Sequence, residues 1–294
     1  MNLAELHLLA QDLWVIADMN LSDFYINPNV KICNSEIQER IFPSFLMHDR
    51  AISVSPRLIN IGRWGRHLLL AFNTCTIVLK MSYKAKLIVT RNISHRDTIV
   101  SDRTRACILS LFSGKDRLFL IYTDPKQCGQ VSVYPSIDTP KEFSYLGLDI
   151  LDYSFTGRYL ISESLKLLSL GKKKNLKSFL MDTSIIAWLD NEVASEAMFL
   201  ANLNPMLDVT TELSSASAQR LAKILVNTYR GMLSHLTNDF MITERVPLTS
   251  LYSVYGHKTC MVCDSQIQKV NIEGKPTYWC PSCQGMNVNN GVVK

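Results

Sequence analysis

The chain has 294 residues, 47% of them hydrophobic and 19% charged, with a formal net charge of +5. That balance excludes a disordered or collagenous chain, and the length suits two domains plus a small module. No apolar run approaches the roughly 18 residues that a membrane span requires, so no membrane partner is expected. The charge is unevenly spread. Between Arg57 and Arg105 stand ten Lys/Arg against two acids, Asp97 and Asp102, a surplus of eight. Such a stretch suits a polyanionic partner, although a solvated strand face has the same composition. Of the eight cysteines, Cys33, Cys75, Cys107 and Cys128 are scattered and are expected as buried free thiols. The N-terminus carries no signal-peptide pattern, and its first twenty residues lack Arg and Lys. A reducing intracellular compartment, cytoplasm or nucleus, is therefore the expectation.

In chain order, Leu3, Leu6, Leu9, Leu13 and Ile16 lie at helical spacing and predict an amphipathic helix over 3–16. From about 32 to 134 the pattern changes to short apolar runs broken by turn residues, at 67–72, 76–79, 87–89, 106–112 and 118–122. Strands at this spacing, with turns at Phe72-Asn73-Thr74 and Ser113-Gly114-Lys115, predict a β-sandwich that carries most of the basic surplus. Thr139-Pro140 marks a boundary, and 152–238 reads as mainly helical. Helices are expected over 155–170, over 176–199 with an interrupting turn, and over 216–236.

The strongest signal lies in the tail. Cys260 and Cys263 form one C-x-x-C knuckle and Cys280 and Cys283 a second, with sixteen residues between them. This spacing reads as a tetrahedral zinc site with four thiolate ligands; free or disulfide-bonded cysteines are the alternative. The insert predicts a strand over 267–272, a turn at Glu273-Gly274 and a return strand over 277–279. So small a ribbon has almost no core, and one structural Zn2+ is expected to hold it. Lys275, at the hairpin tip beside Gly274, is placed either to reach a phosphate or simply to be solvated. The fold class expected is α+β: an N-terminal helix and β-sandwich over 1–138, a helical domain over 139–250, and a β-hairpin zinc finger over 251–294.

The words of the tail, V-Y-G, C-x-x-C, G-K-x-T and C-P-x-C-Q, resemble the C-terminal zinc finger of the formamidopyrimidine-DNA glycosylase / endonuclease VIII family. The resemblance extends back along the chain. L-M-D-T-S followed by N-E-V-A-S-E-A-M-F-L-A-N-L-N-P, at 180–205, is similar to the family's helix–two-turn–helix element. G-R-H-L-L-L at 65–70 is similar to a family strand and places Arg66 where a phosphate-contacting Lys stands. L-K-M-S at 79–82 places Met81 as the side chain that fills the gap left by an extruded nucleotide. Y-T-D-P-K-Q-C-G at 122–129 puts Gln127 and Cys128 where the family has an Arg that pairs with the orphaned base and a stacking Phe. The resemblance implies phosphate contacts from Arg66, Asn191 and Lys275 and double-stranded DNA as the partner. A basic sheet of this kind also suits structured RNA.

Departures cluster where the family does its chemistry. The family begins Met-Pro-Glu, with the proline amine as nucleophile; here Met1 is followed by Asn2 and Leu3. The α-amine of Met1, of a type that titrates near ~8, and Glu5 are the candidates for nucleophile and proton carrier. Lys275 replaces an Arg and loses its bidentate fork. Trp188 and Asp190 replace the two glycines before Asn191, and a carboxylate beside a phosphate is repulsive. Glu196 on the following helix is expected as a buried structural carboxylate. The expectation is therefore a nucleic-acid-binding protein of glycosylase fold with excision lost or reduced. The alternatives are an active DNA glycosylase/AP lyase of base excision repair using Met1, and a structural component of an RNA-containing or protein assembly.

Overall fold

The computed structural model describes residues 3–26, 32–33, 56–82, 85–91, 105–134, 143–238 and 252–285. The chain divides into two compact units, Met1–Ser144 and Tyr145–Lys294. In the first, helix α1 spans Leu3–Asp12 and tightens into a 3-10 turn over Leu13–Ile16. The bulky Trp14 and β-branched Val15 disfavour the last α-helical turn expected there. Leu6, Ala10, Leu13 and Ile16 still fall on one side and are buried in the core.

Strands β1 (Asn20–Ile26), β7 (Arg105–Ser113), β8 (Asp116–Thr123) and β6 (Lys86–Thr90) form one antiparallel sheet in that order. The second sheet has the order β2 (Ile32–Cys33), β9 (Gln130–Tyr134), β5 (Thr76–Lys80), β4 (His67–Phe72), β3 (Leu58–Trp64). Leu68, Leu70, Phe72, Ile77 and Leu79 from this sheet meet Leu109, Leu111, Leu120 and Tyr122 from the other in one buried cluster. Their two-residue spacing sends alternate side chains inward, which makes the pair of sheets the sandwich predicted from the sequence. Met81, next after β5, is 2% exposed and belongs to the same cluster. The side chain that the resemblance would make a wedge is thus core packing here.

The second unit holds helices α2 (Gly157–Ser169), α3 (Leu176–Leu180), α4 (Asn191–Leu200) and α5 (Ser215–Asn238). Thr156 Oγ1 caps α2 by accepting from Tyr159 N at 3.4 Å, and Asn175 Oδ1 caps α3 by accepting from Ser178 N at 2.7 Å. The predicted helix over 176–199 is α3 and α4 separated by the turns at 181–190. Strands β10 (Gln268–Ile272) and β11 (Lys275–Trp279) pair in the register Ile272↔Lys275, followed by helix α6 (Pro281–Gln284). Glu273 and Gly274 both have positive φ, 49° and 77°, the signature of a two-residue hairpin turn whose twist matches its strands. The ribbon has more core than its length suggested. Phe199 of α4 and Val254 pack against Cys260, Ile267 and Cys280. Gln284 completes the join: its Oε1 accepts from Cys280 N and its Nε2 donates to Leu203 O, both at 2.8 Å.

Candidate metal centre and nucleic-acid interface

The two knuckles bring four thiols together. The sulfurs of Cys260, Cys263, Cys280 and Cys283 all lie within 4.8 Å of one another, with 3.5 Å between Cys263 and Cys280 and 3.9 Å between Cys260 and Cys283. Four sulfurs at about 2.3 Å from a tetrahedral ion stand about 3.8 Å apart, so the cluster suits zinc and is too open for a disulfide. Hydrogen bonds from Ser265 hold the Cys263 thiol below its usual range, and Cys283 N donates to Cys280 Sγ at 3.4 Å. Both interactions favour thiolates, the form that binds a metal. Burial raises the Cys280 and Cys283 thiols, so a bound cation's own charge would be needed to deprotonate all four.

Beside this centre, the N-terminus of α4 meets the hairpin. Asn191 Nδ2 donates to Pro276 O at 2.8 Å and lies 3.3 Å from the Tyr255 hydroxyl, while Asn191 Oδ1 is buried without a hydrogen-bond partner among the described residues. Tyr255 packs against Tyr278 with ring centroids 4.8 Å apart, and the Lys269 ammonium sits 5.4 Å from the Tyr278 ring centre. Lys275, directly before Pro276, is half-buried; desolvation draws its ammonium below the usual lysine value, and Glu273 opposes that shift. Asn191, Tyr255 and Lys275 thus occupy one edge of one unit. The N-terminus of α4, the positive end of that helix, thus meets the strand that Lys275 opens.

Two carboxylates near this edge, Asp190 and Glu196, are engaged with other parts of the unit. Asp190 is 8% exposed; its Oδ2 accepts from the Tyr229 hydroxyl at 3.0 Å and its Oδ1 lies 3.4 Å from Trp188 Nε1. The Asp190 side chain is thus directed to Tyr229 of α5 and does not cap its own helix. Glu196 is the buried structural carboxylate expected. It accepts from Ser253 N, Val254 N and Tyr255 N at 2.8, 2.8 and 2.7 Å. Those three bonds fix the segment that carries Tyr255, so Glu196 sets the position of a group that touches Asn191. Sequence reasoning missed Tyr255 as a site residue, although it lies inside the V-Y-G word that was singled out. It also missed Lys177, whose buried place has no local signature.

The remaining candidates lie in the first unit. Arg66 is 6% exposed, and its carbonyl accepts from Met81 N at 2.9 Å. Gln127, exposed, has φ 51° in the loop between β8 and β9. That loop is pinned by Asp124, which accepts from Ser82 Oγ and from Gly129 N, each at 2.5 Å. A Cβ at Gly129 would overlap the Tyr122 hydroxyl and approach Lys80 O at 2.7 Å, so only glycine closes this turn. Glu5 lies on α1, half-buried, and Met1 lies outside the described residues.

The described chain is thus two compact units, a sandwich with an N-terminal helix and a helical body carrying a four-cysteine ribbon. No family model matches the chain. It is 27% identical over 249 residues to the formamidopyrimidine-DNA glycosylase of Ureaplasma parvum, covering 79% of this chain and 83% of the relative. The Wolbachia pipientis wMel formamidopyrimidine-DNA glycosylase is 27% identical over 245 residues, 76% of this chain and 81% of its own length. The match to the Edwardsiella ictaluri protein of the same name, also 27% identical, spans 63% of that relative. Among solved structures, Lactococcus lactis formamidopyrimidine-DNA glycosylase bound non-covalently to DNA containing an AP site superposes with a TM-score of 0.73 at 16% identity, covering 97% of this chain and 100% of that one. The Thermus thermophilus enzyme gives 0.73 at 18% identity, over 97% and 99%. Together these relatives and neighbours support the chain's membership of the formamidopyrimidine-DNA glycosylase / endonuclease VIII family. No helix among the described residues is long and apolar enough to cross a membrane.

Proposed function

We propose that the protein binds double-stranded DNA through the α4–hairpin edge, with base excision lost or reduced. The reading rests on one arrangement above all: Asn191 Nδ2 donating to Pro276 O at 2.8 Å, which ties the helix end to the hairpin bearing Lys275. A phosphate there would meet the Lys275 ammonium, the Tyr255 hydroxyl and the positive end of α4. Within the sandwich unit, Gln127 is exposed for a nucleic-acid contact of its own whereas Arg66 is buried, and the cysteine cluster would hold one structural zinc. Lactococcus lactis formamidopyrimidine-DNA glycosylase, which shares this fold, is bound to AP-site-containing DNA in one structure and to Fapy-dG-containing DNA in another. Cys260, Cys263, Cys280 and Cys283 would hold the ion and so keep the two knuckles closed, and DNA binding would follow from charge and backbone donors. Reduced excision is inferred from the absence of the Pro-Glu pair at 2–3, where Asn2 and Leu3 stand.

Fluorescence anisotropy with an abasic-site duplex tests it. Affinity is expected to fall steeply between about 50 and 200 mM salt, as phosphate neutralisation requires. Salt-independent or absent binding would favour a protein-interaction scaffold.

The names of the sequence relatives favour a second reading, an active glycosylase/AP lyase with the Met1 α-amine as nucleophile. In that reading the amine attacks C1′ of the abasic sugar, water leaves as the imine forms, and Glu5 carries protons. Borohydride would trap the imine as a covalent adduct; adduct lost on blocking the N-terminus would establish the enzyme, and no adduct favours binding alone.

A further inference from the structure

Lys177 is 1% exposed, an unusual place for an ammonium, and lies beneath the first turn of α4. All five residues of its helix, Leu176 to Leu180, are buried. Its Nζ donates to Asn191 O at 3.0 Å and lies 3.4 Å from Ser195 Oγ, which itself donates to Asn191 O at 3.2 Å. Two neutral acceptors thus face the amine, and both belong to the helix whose end carries the DNA contact.

We propose that Lys177 forms the floor of this anion site, resting as a neutral amine and taking up one proton from solvent when a DNA phosphate binds. The inference rests on the DNA-binding reading above. A neutral amine has two N–H donors, which matches the two acceptors; among the described residues no third acceptor is paired with the Lys177 amine. Burial sets the resting state. Desolvation, followed by the positive charge of Lys275, draws Lys177 down to about 7, and Glu192 opposes the shift. Those are the charged groups that act on it: Lys275 from the hairpin and Glu192 from α4. The 205–207 loop, which meets α3 through backbone hydrogen bonds from Leu176 N and Lys177 N, carries no titratable side chain. A phosphate arriving at Lys275 offsets that cation's repulsion and adds attraction of its own, so the amine gains a proton as the complex forms.

Titration calorimetry of the full chain with a tetrahydrofuran-site duplex, at pH 7.5 in buffers of differing ionisation enthalpy, tests this. Uptake of up to about three-quarters of a proton is expected at this pH for a free amine at about 7, with affinity falling up to about tenfold per pH unit above neutrality. Uptake should vanish in Lys177→Met and persist in Lys275→Arg, whose guanidinium does not titrate, and in His257→Gln. Should Lys177→Met not fold, 13Cε-lysine NMR of the wild-type protein follows the same proton: the Lys177 signal is expected to move from neutral toward charged on adding duplex. Tight binding without uptake, uptake that survives Lys177→Met, or a Lys177 signal that does not change overturns the inference and leaves DNA binding standing. A wild-type protein that binds no duplex overturns both.

Discussion

Asp190 and Tyr229 hold each other by two hydrogen bonds: the tyrosine hydroxyl donates to Asp190 Oδ2 at 3.0 Å and accepts from Asp190 N at 3.1 Å. Residue 190 opens α4 and residue 229 lies in α5, so the pair fastens the candidate DNA-contacting helix end to the longest helix of its unit. Tyr229 is fully buried, which pushes its hydroxyl well above the usual tyrosine value and keeps it a neutral donor.

Tyr229→Phe leaves the Asp190 carboxylate and N–H without this partner, and a cost of about 1–3 kcal/mol is expected. Urea denaturation of Tyr229→Phe, Asp190→Asn and the double variant gives the coupling. Fully additive losses would show that the two groups act independently.

Glu196→Gln replaces a carboxylate that accepts three backbone N–H groups with an amide that has one acceptor oxygen. The expected result is a loss of about 2–3 kcal/mol and faster amide exchange at Ser253, Val254 and Tyr255. DNA affinity should fall with it, because Tyr255 is no longer held against Asn191. Unchanged exchange at those three amides would refute this positioning role.

Removing metal should unravel the ribbon. Chelator treatment, or Cys263→Ser, is expected to lower the melting temperature and to release one equivalent of zinc from the native protein. Because Phe199 and Val254 lend the ribbon a small core, partial structure near α4 is expected to survive, readable as residual protection at 252–255.

Lys275→Ala is expected to weaken binding to all duplexes alike and to reduce the salt slope by about 1, the signature of one lost phosphate contact. A slope equal to that of the wild type would mean that the hairpin lysine is merely solvated.

The sandwich should lose stability in mild acid. His67 is buried against Phe143, with ring centroids 4.8 Å apart, and desolvation lowers it to about 4; the Trp64 carbonyl opposes the shift and Lys80 adds to it. In the unfolded chain histidine binds its proton near ~6.5, so between these values the unfolded state holds more protons. The contribution is therefore whole above ~6.5 and is lost as pH falls through about 4. It is on the order of 3 kcal/mol. His67→Gln should flatten melting temperature against pH over that window.

Much of the architecture was legible from one-dimensional signals. The short apolar runs along 67–72 and 76–80, the knuckle spacing of Cys260, Cys263, Cys280 and Cys283, and the Glu273-Gly274 turn each act over a few residues, where backbone geometry and ligand chemistry leave little choice. The chain's own order of residues therefore determined the sandwich, the helices and the ribbon. Tertiary structure alone decided where the charged and flexible groups went. It sank Met81 into the core, turned Asp190 toward a tyrosine 39 positions away, and spent Glu196 on backbone 57 to 59 residues distant. It also sealed Lys177 beneath a helix end, where nothing in L-K-S-F-L distinguishes it from a surface lysine. The physical reason is that desolvation and hydrogen-bond satisfaction depend on what surrounds a group in space, and neighbours so far apart along the chain leave no periodic trace in it.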